Sequence, residues 1–124
     1  MRTWIFVGGV LGFLGVGLGA FGAHGLEKHA TGEALDWWDT AVRYHLIHAV
    51  LLVVLGALGR EGRLVALAGW AVSLGVLVFC GTLYAMALGA PRWLGAITPV
   101  GGLGLMGGWL LVALLARRPG PSVR

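Results

Sequence analysis

The stretch LDWWDTAVRYHLIH, residues 35–48, decides the fold because charged and aromatic side chains meet a long apolar run there. It holds Asp36, Asp39, Arg43 and two histidines, and it continues directly into the apolar segment AVLLVVLGALG. That uncharged segment, residues 49–59, is too short to span a bilayer, which takes about 20 residues of helix. The span must therefore extend back to about residue 37. This draws ionisable side chains into the helix, where they are costly and indicate a functional or structural role.

Composition predicts that most of the chain is covered by lipid. Of its 124 residues, 58% are hydrophobic and 11% are charged, whereas a typical soluble domain has about 25% charged residues. So few charges cannot cover a water-facing surface. We expect the lipid bilayer as the main partner and no nucleic-acid partner, although the net charge is +4. The single cysteine, Cys80, excludes a disulfide within the chain.

Three further apolar runs complete a predicted all-α bundle of four transmembrane helices, the second with an amphipathic start at the membrane interface. The first run makes about 30 Å of helix, which is one hydrocarbon thickness. The sequence GREGR at 59–63 predicts a tight turn, and Thr98-Pro99 predicts that the fourth helix begins irregularly. The predicted spans are residues 4–23, 37–59, 64–90 and 97–116, followed by a tail at 117–124 that we expect to be disordered.

The first run has an alternative interpretation as a cleaved signal peptide. Arg2 precedes an apolar core, and the small residues Ala20 and Gly22 lie near a potential cleavage point. However, the run is longer than the apolar region of about 7–15 residues that is usual in signal peptides. We favour a retained transmembrane helix.

Glycines in this first run recur every three or four residues and so form a stripe along one side of the helix. Small residues allow membrane helices to approach closely. The stripe therefore predicts a packing surface, either within the chain or at the seam of a homo-oligomer or another membrane-protein partner. Its members are Gly8, Gly12, Gly15, Gly19 and Gly22.

Three histidines are the candidate metal ligands. His24 ends the first helix, and His45 and His48 are three residues apart on the second. Neutral imidazole is a common metal ligand, so the three could converge on zinc, copper or haem. The simpler interpretation is that they hydrogen-bond across helices or reach headgroups, and no His-Glu-x-x-His or Cys-x-x-Cys motif accompanies them.

The charges at the start of the second helix form a second candidate site. Asp36, Asp39 and Arg43 share one side of the helix, and the i, i+4 spacing of Asp39 and Arg43 predicts an ion pair. Together with Tyr44 they are interpreted as a structural polar knot that anchors this helix to the preceding loop. The alternative is part of a path for protons or small solutes, which needs polar groups through the full membrane depth. Deeper in the bilayer the chain offers only three hydroxyl side chains, at Ser73, Thr82 and Thr98.

Basic residues predict the orientation of the four spans. Six lie on the side of the termini and the 59–63 turn, and three lie on the other side. The positive-inside rule then places both termini in the cytoplasm. The two groups are Arg2, Arg60, Arg63, Arg117, Arg118 and Arg124 against Lys28, Arg43 and Arg92.

Four segments carry a family resemblance: GAFGAHGL (19–26), TAVRYHLIHAV (40–50), CGTLYAMAL (80–88) and LGAITPVGGLGLMGGW (94–109). Together they resemble the domain-of-unknown-function 423 family, small bacterial inner-membrane proteins related to the eukaryotic transmembrane protein 256. The resemblance covers nearly the whole chain. It implies a multi-pass protein of the bacterial inner (plasma) membrane and carries over no activity or catalytic residue. The matching motif residues are Gly22, His24, Arg43, Tyr44, His45, His48, Thr98, Pro99 and Gly101.

We therefore expect a protein that is not an enzyme and that acts as a structural or accessory component of the membrane. The alternative is a small transporter or channel subunit, which a polar lumen through the whole bundle would favour. A third hypothesis is a metal- or haem-binding accessory that uses the outer-side histidines. Clustered imidazoles with an open coordination position would favour it.

Overall fold

The computed structural model describes residues 2–30 and 32–119, and its helices follow the apolar runs of the sequence. The four long helices are α1 (Arg2–His24), α2 (Glu33–Ala57), α3 (Arg63–Ala87) and α4 (Thr98–Leu115). Short 3₁₀ turns at Leu26–Lys28 and Arg92–Ala96 precede α2 and α4. Residues 120–124, most of the tail predicted to be disordered, lie outside the described residues.

The prediction of an all-α fold with four membrane-spanning helices is confirmed. Each of the four helical segments is long and apolar enough to cross a membrane, and the described residues contain no strand. The regular part of the last span begins at Thr98, with Pro99 in its first turn. Proline is favoured there because the first-turn N–H groups have no partner within the helix.

The helices pack in an open order rather than a closed ring. The central pair is α2 and α3, with α1 against α2 at one end and α4 against α3 at the other. The largest fully buried side chains accordingly come from the central pair: Leu52, Leu55, Val72, Val76 and Cys80. The outer helices α1 and α4 expose most of their surface, which we expect lipid to cover.

The glycine stripe of α1 is used within the chain, against α2. A Cβ at Gly8 would lie 2.7 Å from the carbonyl oxygen of Ala49, and one at Gly22 would lie 2.5 Å from Cδ1 of Trp38. Hydrogen atoms in place of side chains therefore let the two helices approach closely. Gly8, Gly15 and Gly22 are buried in this contact, and a seam with a second copy or another partner along the stripe stays a prediction.

Glycine also sets the contact of α3 with α4 and the turn between α2 and α3. A Cβ at Gly75 would lie 2.8 Å from Cδ2 of Leu105, and one at Gly101 would overlap the backbone of Phe79. In the turn, Gly59 and Gly62 have φ of 66° and 118°, which favour glycine because side chains clash there.

Arg60 anchors this turn to the end of α4. Its Nη1 donates to the Leu115 carbonyl oxygen over 2.6 Å, and its Nη2 donates to the Arg118 carbonyl oxygen over 3.2 Å. The Leu115 carbonyl oxygen also accepts from the Arg118 backbone N–H over 3.2 Å, so the guanidinium adds a second donor at the carboxyl end of α4.

Candidate functional site

The candidate site is a set of polar contacts between helices, and its deepest member is His48. The His48 side chain is only 4% exposed. Its Nδ1 lies 2.7 Å from the Tyr44 carbonyl oxygen one turn earlier in α2. Its Nε2 accepts a hydrogen bond of 3.0 Å from the indole Nε1 of Trp109 in α4. One imidazole thus joins the second and fourth helices.

These two contacts define which nitrogen of His48 carries the proton. A carbonyl oxygen only accepts, so Nδ1 must carry a hydrogen and donate it to Tyr44. An indole N–H only donates, so Nε2 must offer its lone pair to Trp109. His48 is therefore a neutral imidazole with both nitrogens engaged. A metal could bind it only by displacing the Trp109 hydrogen bond.

His45 forms a second contact between helices, with α3. Its Nδ1 lies 2.9 Å from the hydroxyl of Tyr84, and the two rings meet edge to face. The opposite edge of the imidazole faces the glycine stripe, where a Cβ at Gly15 would lie 3.2 Å from Cδ2 of His45. Its Nε2 is buried without a hydrogen-bond partner among the described residues.

Trp38 contacts the end of α1 and the end of α3 from the first turns of α2. Its Nε1 donates to the Leu18 carbonyl oxygen of α1 over 2.8 Å. Its ring contacts Phe21 and Tyr84 edge to face, at centroid distances of 5.5 and 4.6 Å. Tyr84 is thus held by both Trp38 and His45, which fixes its hydroxyl toward the imidazole.

A surface clamp joins the start of α2 to the 3₁₀ turn before α4. Arg92 pairs with Glu33, and its guanidinium lies 5.5 Å from the centre of the Trp37 ring. Both charged side chains are exposed, so this is a surface pair and contributes little to stability. The cation–π contact nevertheless brings the guanidinium onto the first turns of α2.

The three candidate metal ligands do not form one site in the structure. His24 is exposed at the end of α1, whereas His45 and His48 are buried and turn to different helices, α3 and α4. Across residues 2–30 and 32–119, no group of three or more His, Cys, Asp or Glu side chains is placed to hold a metal ion. The structure therefore does not bring the three histidines together, and metal or haem binding at these positions stays a prediction.

The predicted polar knot is also not assembled. Asp36, Asp39 and Arg43 are exposed, and the salt bridge found among the described residues is the one between Arg92 and Glu33. Tyr44 turns away from these charges. Its ring stacks on His48 and lies 4.6 Å from the ring centre of Phe79. The 3₁₀ turn before α2 packs instead through Leu26, which lies in one buried cluster with Trp38.

Sequence reasoning missed Tyr84 and Trp109 as the partners of the two histidines. Both lie in segments that it singled out, 80–88 and 94–109, but nothing in the order of residues indicates that they meet α2. A third contact, between Thr82 and Thr98 hydroxyls 2.6 Å apart, links α3 to the first turn of α4. Three polar contacts between side chains, His45–Tyr84, His48–Trp109 and Thr82–Thr98, thus connect different helices.

Comparison with known proteins agrees with this architecture. The family model described as "Protein of unknown function (DUF423)" matches residues 18–102. A UPF0382 membrane protein of Staphylococcus haemolyticus is 42% identical over 92% of this chain and 94% of its own length. The UPF0382 membrane protein YwdK of Bacillus subtilis is 39% identical over 94% of this chain and 97% of its own length.

A third relative shows a similar identity over a somewhat smaller share of the chain. The UPF0382 membrane protein of Haemophilus influenzae is 42% identical over 82% of this chain and 83% of its own length. No solved structure matches the chain. On the family model and these relatives, the chain belongs to the DUF423 (UPF0382) family of membrane proteins.

Proposed function

We propose that the protein is a non-enzymatic accessory component of the bacterial plasma membrane. The observation that carries this proposal is the hydrogen bonding of His48. Both of its nitrogens are engaged by the protein itself, through the Tyr44 carbonyl and the Trp109 indole. A catalytic base or a metal ligand needs a free lone pair, whereas a residue that connects helices does not.

The proposal includes an orientation with both termini in the cytoplasm. Six basic residues lie on the side of the termini and three on the opposite side. The excess of Lys and Arg is normally found on the cytoplasmic side, because translocating positive charge is unfavourable. In this orientation the clamp of Arg92, Glu33 and Trp37 lies at the outer surface.

A small transporter or channel subunit is the second candidate. It is supported by two buried polar atoms without a hydrogen-bond partner among the described residues, Nε2 of His45 and Oγ of Ser73. Such atoms are costly in a membrane and often mark ion or solute pathways. The two lie on different helices, and the large side chains buried around the central helix pair are apolar. We therefore rank transport below the accessory role.

Reconstitution distinguishes the two candidates. Purified protein is placed in liposomes that enclose a pH-sensitive dye, and proton flux is measured under an imposed potential. Metal and haem contents of the same preparation are measured by mass spectrometry and visible absorbance. The accessory role predicts flux equal to that of empty liposomes and no stoichiometric metal or haem.

His48→Ala provides the matched variant in this assay. The accessory role predicts that it lowers the thermal midpoint in detergent and changes no transport or metal signal. A proton flux, or a bound metal, that is present in the parent and lost in a folded His48→Ala protein would replace this proposal with the transport or metal-binding one.

A further inference from the structure

One line of exposed side chains along α2 carries both charges and apolar residues. Its members recur every three or four residues and therefore lie on one side of the helix. α3 covers the opposite surface of α2, and α1 packs beside this side of the helix. The line comprises Asp36, Asp39, Arg43, Ile47, Val50 and Val54, all exposed, and is called the α2 ridge below.

The charged half of the α2 ridge extends into the membrane. Trp37 lies at the outer surface, since Arg92 both stacks on its ring and pairs with Glu33. Arg43 follows six residues later, which is about 9 Å deeper at 1.5 Å per residue. Asp39 lies between the two levels, one turn above Arg43. A basic and an acidic side chain are thus exposed at or below the headgroup level.

Neither Asp39 nor Arg43 has an ionic partner among the described residues, and acyl chains cannot solvate a charged side chain. A lipid phosphate would satisfy Arg43 but would repel Asp39 one turn away. A protein surface that presents one acidic and one basic side chain can pair with both Arg43 and Asp39. A second copy of this chain is such a surface, because a two-fold interface brings the same patch of each copy together.

The apolar half of the α2 ridge borders a groove that could receive a partner helix. The groove lies between α1 and α2, has a volume of about 420 Å³, and is lined by apolar side chains and glycines. Gly9 is in its wall, and a Cβ there would meet nothing within 4 Å. Bare glycine backbone beside a helix ridge allows a second helix to approach closely.

We propose that the protein forms a two-fold symmetric homodimer in the membrane through the α2 ridge. In this dimer Asp39 pairs with Arg43 of the partner subunit, and the reciprocal pair forms across the axis. With the axis along the membrane normal, equivalent residues lie at equal depth. Asp39 and Arg43 then differ in height by one turn, about 6 Å, which the long arginine side chain spans.

The apolar residues of the α2 ridge continue this contact toward the cytoplasmic side. Ile47 follows Arg43 by one turn, and Val50 and Val54 follow in the same line. Each would pack beside the α1–α2 groove of the other copy. The interface is therefore held by two reciprocal ion pairs at its outer end and by close packing below them.

Disulfide cross-linking in native membranes tests the contact. Ile47→Cys is introduced into a Cys80→Ala background, and dimer formation is followed after mild oxidation. Leu74→Cys is the control, because Leu74 is 53% exposed against 51% for Ile47 and lies on α3 at a similar distance from the outer end. The dimer predicts cross-linking at Ile47→Cys alone. No cross-linking there, or equal cross-linking at Leu74→Cys, overturns it.

Charge variants separate pairing between copies from pairing along one helix. Asp39→Arg gives a copy with two positive charges, and Arg43→Asp gives a copy with two negative charges. Each alone should reduce dimer yield at least about tenfold, since juxtaposed like charges cost several kcal/mol. The exchanged variant Asp39→Arg/Arg43→Asp should dimerise as the parent does.

Co-expression of the two single variants is the decisive experiment. A doubly positive copy and a doubly negative copy attract each other, so their co-expression should restore cross-linking in the mixed dimer. An ion pair within one helix is absent from both copies and cannot be restored by mixing. Failure of the mixture to assemble, whether from repulsion or from misfolding of either copy, counts against the proposal.

Two glycines provide an independent variant pair. Gly9→Leu places a side chain in the groove, whereas Gly17→Leu adds the same side chain on the side of α1 opposite the glycine stripe, where a Cβ also meets nothing within 4 Å. The dimer predicts at least about a tenfold loss of cross-linking for Gly9→Leu and none for Gly17→Leu. Equal effects of the two substitutions would overturn the proposed groove contact.

Discussion

Trp109 donates its indole N–H to Nε2 of His48 over 3.0 Å, and this bond joins α4 to α2 across 61 residues of chain. These two helices are not sequential neighbours, and the central pair of α2 and α3 lies at the middle of the packing order. The bond therefore secures the position of the outermost helix α4 beside the central pair. It is also the contact that occupies the only lone pair of His48.

Loss of the Trp109 hydrogen bond should destabilise the protein. Trp109→Phe removes the donor and leaves Nε2 of His48 without a partner at membrane depth, which should cost about 1 kcal/mol. Thermal unfolding in detergent measures the effect. Trp93→Phe is the control, because Trp93 is exposed in the turn before α4. Equal midpoints for the two variants would contradict the proposed contribution of the bond.

The Tyr84 hydroxyl should stabilise the fold only through His45. Tyr84→Phe removes one hydroxyl and should cost about 1 kcal/mol by leaving Nδ1 of His45 without a partner. In a His45→Leu background the same substitution should be nearly neutral. A double-mutant cycle by thermal or denaturant unfolding gives the coupling. A Tyr84→Phe effect that is the same in both backgrounds would argue against the contact.

Two glycines of α1 should respond to alanine with opposite signs. At Gly8 the new methyl group would lie 2.7 Å from the Ala49 carbonyl oxygen, and backbone cannot move aside, so we expect a loss of about 1–3 kcal/mol. At Gly17 a Cβ meets nothing within 4 Å, so alanine should be neutral or stabilise by up to about 1 kcal/mol through helix propensity. Unfolding midpoints of Gly8→Ala and Gly17→Ala check this, and a shift of the same sign at both positions would contradict the close packing of α1 on α2.

The surface clamp should matter far less than the contacts within the membrane. Arg92→Ala removes both the pair with Glu33 and the contact with Trp37, yet both charged side chains are exposed. We expect a loss below about 1 kcal/mol that shrinks as salt is added. Unfolding at low and high ionic strength measures it. A large loss that is independent of salt would mean that the clamp holds the start of α2 and the turn before α4 in place.

The spans of the fold were predictable because each depends on one continuous segment. The length of the apolar run predicts that the second span extends back to about residue 37, and α2 begins four residues before that, at Glu33. The exposed side with Asp39 and Arg43 and the buried side with His45 also followed from helical geometry. Each of these predictions needs only residues that are close in sequence.

The contacts of the candidate site were not predictable, because they depend on how separate helices are rotated about their axes. Spacing along one helix suggested that His45 and His48 act together, but they turn to Tyr84 and Trp109 on different helices. Spacing also suggested a pair of Asp39 with Arg43, whereas the pair that forms joins Glu33 to Arg92, 59 residues apart. Sequence alone fixes neither rotation nor the partner of a polar side chain.

The central claim is that the buried imidazole of His48 serves as a connection between helices. Nitrogen-15 NMR of protein in lipid nanodiscs, with the His48 ring labelled, tests it most directly, with and without added zinc or copper. We predict a protonated Nδ1 and an unprotonated Nε2 coupled to the Trp109 N–H, with both signals unchanged by metal. A protonated Nε2, or an Nε2 signal that shifts stoichiometrically with metal, would contradict the account.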